Sequence, residues 1–221
     1  MRSQSLSTLL FFGGLASACP LAARQSGTAV TSASEPGPTD SGSAGYGSKT
    51  DMVSIIKAVL PTSDSCEGAD FPDECRTAEQ AAPYVSKACE DLSDGECAAT
   101  LAVMGYESGD FKYKHNLQNN PGQGTANMMS GENVRDYATD LFGADKVAGK
   151  TPDEILAMVT PDETNFGSAA WHLKTKCPDL REPLSTGTDA AWEKYMGECI
   201  IVDNNERRQE YWNRAKEAFG L

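Results

Sequence analysis

Two groups of residues in this chain have the types and spacing to do chemistry: a single acid at a helix end and a run of amides and glycines behind it. The acid is Glu107. It closes the apolar run Glu96-Cys-Ala-Ala-Thr-Leu-Ala-Val-Met-Gly-Tyr-Glu107 and is followed by Ser108-Gly109-Asp110. A carboxyl group brought to the rim of a buried helix is half out of water. Partial desolvation disfavours the charged form, which is the condition a general acid needs near neutral pH. The plainer reading is that Glu107 is the first solvated residue after a buried helix.

Behind it lies a polar loop with Asn116, Gln118, Asn119 and Asn120, then Pro121-Gly122-Gln123-Gly124-Thr125-Ala126-Asn127-Met128-Met129. Gly122 and Gly124 let backbone approach a ligand closely, and amides both donate and accept. That chemistry suits neutral ligands rich in hydroxyl or acetamide groups, such as sugars. The loop holds no Lys or Arg among its glycines, and their spacing matches no nucleotide-binding fingerprint. Asp110, Glu132 and Asp136 are the nearby second acids, Asp110 with turn or C-cap character. A glycosidase of the two-carboxylate type sets its acids about 5–5.5 Å apart for retention and wider for inversion. No second acid here stands in an apolar setting, so a single-acid mechanism fits better.

Rival schemes lack their residues. Gly-x-Ser-x-Gly is absent, so no nucleophile elbow forms. The histidines are His115, in the loop, and His172, read as a packed or solvent-edge helix residue. No Cys-x-x-Cys pair occurs, so no metal site and no cofactor are expected. Trp171, Trp192 and Trp212 sit in amphipathic runs and read as core.

The elements that must position these residues are helices. Asp51–Leu60 stops at Pro61. Thr77 to Gln80 resembles a capping box opening a helix to Asp91, and Ser93 to Glu96 caps the helix that ends near Glu107. Residues 109–130 form the longest irregular stretch. Helical patterns return at Glu132–Phe142, at Pro152–Val159 behind Thr151, from Asp162 or Thr164 to Cys177, at Asp189–Cys199 and at Asn204–Phe219. No alternating β-branched run exceeds three or four residues. The fold expected is all-α, or α with a minor β-hairpin, held by disulfides.

Residues 1–23 read as a signal peptide: Arg2, an apolar stretch from Leu9 to Leu15, then small residues with cleavage points after Ala18 or Ala23. Cutting after Ala23 removes Cys19 and leaves Cys66, Cys75, Cys89, Cys97, Cys177 and Cys199. Of the fifteen pairings open to six cysteines, proximity favours Cys66–Cys75 and Cys177–Cys199, which leaves Cys89–Cys97. Residues 24–49, rich in Ser, Gly and Pro, read as a disordered leader, and 50–221 as one domain. The net charge of -13 becomes more negative by one when Arg2 is removed. Nucleic acid and anionic membranes are poor partners for such a surface. A secreted, extracellular monomer is expected.

Glu-Ser at the end of an apolar helix, a Gly/Gln/Met segment and then another helix together resemble the lysozyme-like superfamily. The soluble lytic transglycosylases and goose-type lysozymes are the nearest members by pattern. The resemblance covers Cys97 to Trp171. It implies Glu107 as catalytic acid, Ser108 as its supporting neighbour, and a cleft lined by Gln123, Asn127 and Met128. Tyr137 and Ala170-Trp171 would lie beneath the site. The chain departs from the family in reading Gly-Gln-Gly-Thr-Ala-Asn-Met-Met where Gly-Leu-Met-Gln is usual, and in its acidity. The function so implied is cleavage or binding of a β-linked amino-sugar polymer of chitin or peptidoglycan type, with Glu107, Ser108, Asp110, Gln123, Asn127, Met128 and Tyr137 as the site. The second reading is a non-catalytic, secreted carbohydrate-binding or host-interaction protein. A polysaccharide or oligosaccharide is the partner in either case.

Overall fold

The computed structural model describes residues 49–221. The expected signal peptide and all of the expected leader except residue 49 lie outside them. The described chain is all-α: α1 (Lys49–Val59), α2 (Ala78–Cys89), α3 (Asp94–Ser108), α4 (Gly131–Phe142), α5 (Ala144–Val147), α6 (Pro152–Val159), α7 (Asp162–Lys176), α8 (Arg181–Ser185), α9 (Asp189–Tyr195) and α10 (Glu206–Phe219). Among the described residues, isolated bridges from His115 to Gly124 and from Gly124 to Met129 stand in place of the hairpin.

Helix starts follow their caps. Thr77, Ser93 and Thr151 each accept from the backbone three residues on, while Gln80, Glu96 and Glu154 reach back to close the box. Glu96 does a second job, because its other oxygen receives Arg181 Nε at 2.5 Å and so ties α3 to the start of α8. The helix expected over 189–199 is α9 followed by a wider turn, Met196–Ile200, with π-type bonding. It ends at Ile201, which is left-handed at φ 60°.

α3 is the central rod. Ala98, Leu101, Ala102 and Met104 are buried, because α1, α7 and α10 all pack against it. Trp192 stacks on Trp212 at 5.1 Å and locks α9 to α10. A second, smaller core of Met129, Val134, Tyr137, Ala138, Val147, Ile155, Leu156 and Val159 joins α4, α5 and α6. The disulfides are Cys66–Cys75, Cys89–Cys97 and Cys177–Cys199, the pairing that sequence proximity favours. Among the described residues no helix is long and apolar enough to cross a membrane.

Candidate ligand cleft

α3 delivers Glu107 half-buried in its last turn, and Gly109 ends the helix in the left-handed conformation. The carboxylate is not alone. Arg208 of α10 donates from Nη2 to Oε1 at 3.0 Å, and its guanidinium lies over the Tyr106 ring at 4.1 Å. Paired in this way, Glu107 has its charge offset by the guanidinium and keeps acceptor capacity on its carboxylate oxygens.

In front of Glu107 is a cleft of about 260 Å³. One wall is the loop and the start of α4, with Gln123, Asn127, Met128, Met129, Ser130 and Asn133. The floor holds His172 of α7 and Cys199, and the far lip is Ile200, Ile201 and Val202. The loop's side chains are fixed from within. Gln123 donates to the Met128 carbonyl at 3.2 Å and accepts from Asn120 at 2.8 Å. The Asn127 carbonyl oxygen accepts from Thr125 at 3.0 Å and from Ser168 at 2.7 Å. Its amide nitrogen is the donor that remains for a ligand.

His172 is the residue whose ionisation is most altered at the cleft. Burial, aided by the positive charge of Lys176, holds its pKa down to about 4. It is therefore neutral under ordinary conditions. Asn133 Nδ2 donates to its Nε2 at 3.3 Å, and Nδ1 faces Cys199 Sγ at 3.7 Å. No Lys or Arg lines the cleft.

Glu107, Gln123, Asn127 and Met128 thus meet in one place, as the sequence suggests. Ser108, Asp110 and Tyr137 do not. Ser108 is buried, donating to the Met104 carbonyl at 2.6 Å and accepting from Phe111 N at 2.9 Å; it shapes the end of α3. Asp110 is buried too, accepting from Tyr211 at 2.5 Å and from the Thr62 amide and hydroxyl at 3.0 and 2.8 Å. It joins α3 to α10 and to the end of α1. Tyr137 is on the other side of α4, where it donates to the Thr164 carbonyl at 2.9 Å and packs on Trp171 in a separate groove. Trp171, expected as core, is half-buried in that groove.

The glycines also serve the fold rather than a ligand. A Cβ at Gly124 would meet the Lys114 carbonyl at 2.4 Å, and one at Gly122, where φ is +73°, would meet Pro152 at 2.7 Å. His172, Cys199 and the lip are missing from the sequence reading. His172 is legible only as a helix residue, and no local pattern links 199–202 to Glu107.

The chain is similar to a bifunctional dioxygenase–epoxy alcohol synthase of Fusarium oxysporum (strain Fo5176). The two are 39% identical over 171 residues, covering 71% of this chain and 13% of that protein. The chain therefore spans a small part of the relative it matches. No family model and no solved structure matches it.

The relative corrects the functional expectation. It is named for oxygenation and epoxy alcohol synthesis, not for action on or binding of a glycan. The polymer-cleaving reading and its carbohydrate-binding alternative are withdrawn. The geometry agrees on one point, since Glu107 is tied to a guanidinium rather than standing alone in an apolar setting.

Proposed function

We propose that this domain binds a neutral, oxygen-bearing amphipathic small molecule in the Glu107–His172 cleft, of the chemical class to which an epoxy alcohol belongs. One observation carries the reading: a single cleft is lined by a carboxylate, a neutral imidazole, amides and the apolar run Ile200 to Val202. The Glu107 carboxylate accepts from a ligand hydroxyl, and the Asn127 amide donates to a second oxygen. Met128, Ile200, Ile201 and Val202 cover the carbon skeleton. Anionic ligands are disfavoured, because no cationic residue lines the cleft and the nearby Arg208 guanidinium is engaged by Glu107, on a chain of net charge -13.

The relative's name supports the class, since an epoxy alcohol carries an oxirane oxygen and a hydroxyl, both uncharged. The matched segment is 13% of that protein. The reading is accordingly a binding role beside the named activities, not those activities themselves. The likeness of the Glu107 helix and following loop to the lysozyme-like superfamily is kept as a reading of the scaffold alone, since one scaffold serves many functions. The three disulfides support an oxidising, extracellular location. The acidic charge supports a protein without nucleic-acid partners, and we take it to act as a monomer.

Calorimetric titration with a neutral epoxy alcohol and with a fatty carboxylate of equal chain length tests the reading. The epoxy alcohol binds and the carboxylate binds at least about tenfold more weakly, a difference of about 1.4 kcal/mol. Glu107→Gln weakens the epoxy alcohol by a similar factor. Ile201→Ser, at a residue 79% exposed, weakens it without touching the fold. Equal affinity for the two ligands, or an unchanged affinity in both variants, ends the proposal.

A further inference from the structure

We infer that Cys177–Cys199 is a thiol-exchange site, a disulfide built to be opened by a small-molecule thiol that attacks Cys177, with Cys199 at the cleft as the departing sulfur. The inference is independent of what the cleft binds. Three observations converge on it.

The first is the neighbour of the sulfur. Cys199 Sγ lies 3.7 Å from His172 Nδ1, a distance suited to N–H···S hydrogen bonding. Cys66–Cys75 and Cys89–Cys97 have no such histidine contact among the described residues. The second is what fixes the imidazole. Asn133 donates to Nε2, so the ring proton resides on Nδ1 and points at Cys199. An N–H aimed at a sulfur stabilises that sulfur as a thiolate, and a better leaving thiolate leaves faster.

The third is the chain around Cys199. It sits in the π-type turn Met196–Ile200, directly before Ile201, a β-branched residue held at φ 60°. Such a residue in the left-handed region is strained and is held there by its surroundings. Cys199 lies two residues before Ile201, so opening its link to Cys177 frees one anchor of the chain that leads into the 199–202 lip. Cys177 is also the more exposed partner, half-buried where Cys199 is buried.

The step is a displacement at sulfur. An external thiolate attacks Cys177 Sγ from the solvent side, in line with the bond to Cys199. A bond forms between the incoming sulfur and Cys177 while the Cys177–Cys199 bond breaks. Cys199 Sγ departs with the electron pair as a thiolate that accepts the hydrogen bond from His172 Nδ1. No net oxidation occurs in this step, because one disulfide replaces another. A second thiolate can then displace Cys177, leaving two protein thiols and oxidising the external thiol to its own disulfide.

The test uses the folded, fully oxidised chain and reduced glutathione at neutral pH without denaturant, quenched by alkylation and mapped by peptide mass spectrometry. The expected product carries glutathione on Cys177 and the alkyl group on Cys199, with Cys66–Cys75 and Cys89–Cys97 intact. The Cys177–Cys199 rate should exceed that of either other disulfide by at least about tenfold. Asn133→Ala, at a half-buried position, and His172→Gln should each slow the exchange. A purely structural role predicts the opposite sign, because a loosened fold exposes the bond and speeds attack. First reaction at another disulfide, no adduct at Cys177, or unchanged or faster exchange in Asn133→Ala overturns the inference.

Discussion

His172 is 7% exposed in the folded chain and carries its consequence in the pH dependence of stability. Unfolded, its imidazole takes a proton near pH 6.5; folded, burial delays that to about 4. Between those values the unfolded state binds a proton that the folded state refuses. Stability is therefore lost as pH falls through that window, by about 3 kcal/mol at most. Asp162, Asp189 and Glu163 have pKa values lowered by Lys or Arg partners, against the opposing effect of desolvation that is largest for Asp162. Their contribution has the same sign over a lower range: it is present above their unfolded values and is lost as pH falls below them. Chemical denaturation at pH 7.0 and pH 4.5 should show the loss in the natural chain and flatten in His172→Gln. A flat profile in the natural chain would count against a buried neutral imidazole. At this scale the sequence is informative about Glu107 and leaves His172 between a packed and a solvent-edge helix position. A helix-end acid leaves a local signature, whereas the burial of one histidine depends on α4 and residues 199–202, which are distant in the chain.

At the scale of elements, the cap residues make the helices legible, because a capping box is a local exchange between neighbours three positions apart. Thr77, Ser93, Thr151 and their partners behave as their spacing implies. The loop after α3 is legible only as a loop. Its shape rests on long-range contacts: Lys114 Nζ reaches Asp162 at 2.6 Å, Gly122 N reaches Asp153 at 2.8 Å, and Glu74 holds His115 at 2.7 Å. Asp110 shows the same limit. Three residues after Glu107 it resembles a second acid, yet it is the buried joint among α1, α3 and α10. Asp110→Asn keeps the size and tolerates the left-handed backbone at φ 60°. It also replaces a charged acceptor with an amide that opposes the Thr62 N–H or hydroxyl. We expect a loss of about 2–3 kcal/mol in unfolding free energy, with ligand affinity unchanged, measured by denaturant titration beside calorimetry. Unaltered stability with lost binding would instead return Asp110 to the site.

The domain as a whole has one large core and one small one, and the cleft lies where they meet. Glu107, His172 and Cys199 are on elements of the large core, while Gln123 to Asn133 precede or begin the helices of the small one. All three disulfides join elements outside the small core. Its eight buried members are held by packing and by surface contacts such as Lys176 to Asp136 at 2.6 Å. Regions with fewer buried contacts and no cross-link open first, at a free energy below that of global unfolding. Amides of α4 and α6 should therefore exchange with solvent at least about thirtyfold faster than those of α3, a gap of about 2 kcal/mol. Native-state hydrogen exchange followed by mass spectrometry measures this directly. A bound ligand that spans the cleft touches both cores, so it should slow exchange in α4 and, by raising the free energy of global unfolding, in α3 as well. Equal protection of α4 and α3 in the free protein would mean that the cores open as one, and that the cleft is a fixed cavity rather than a mouth between two bodies of unequal stability.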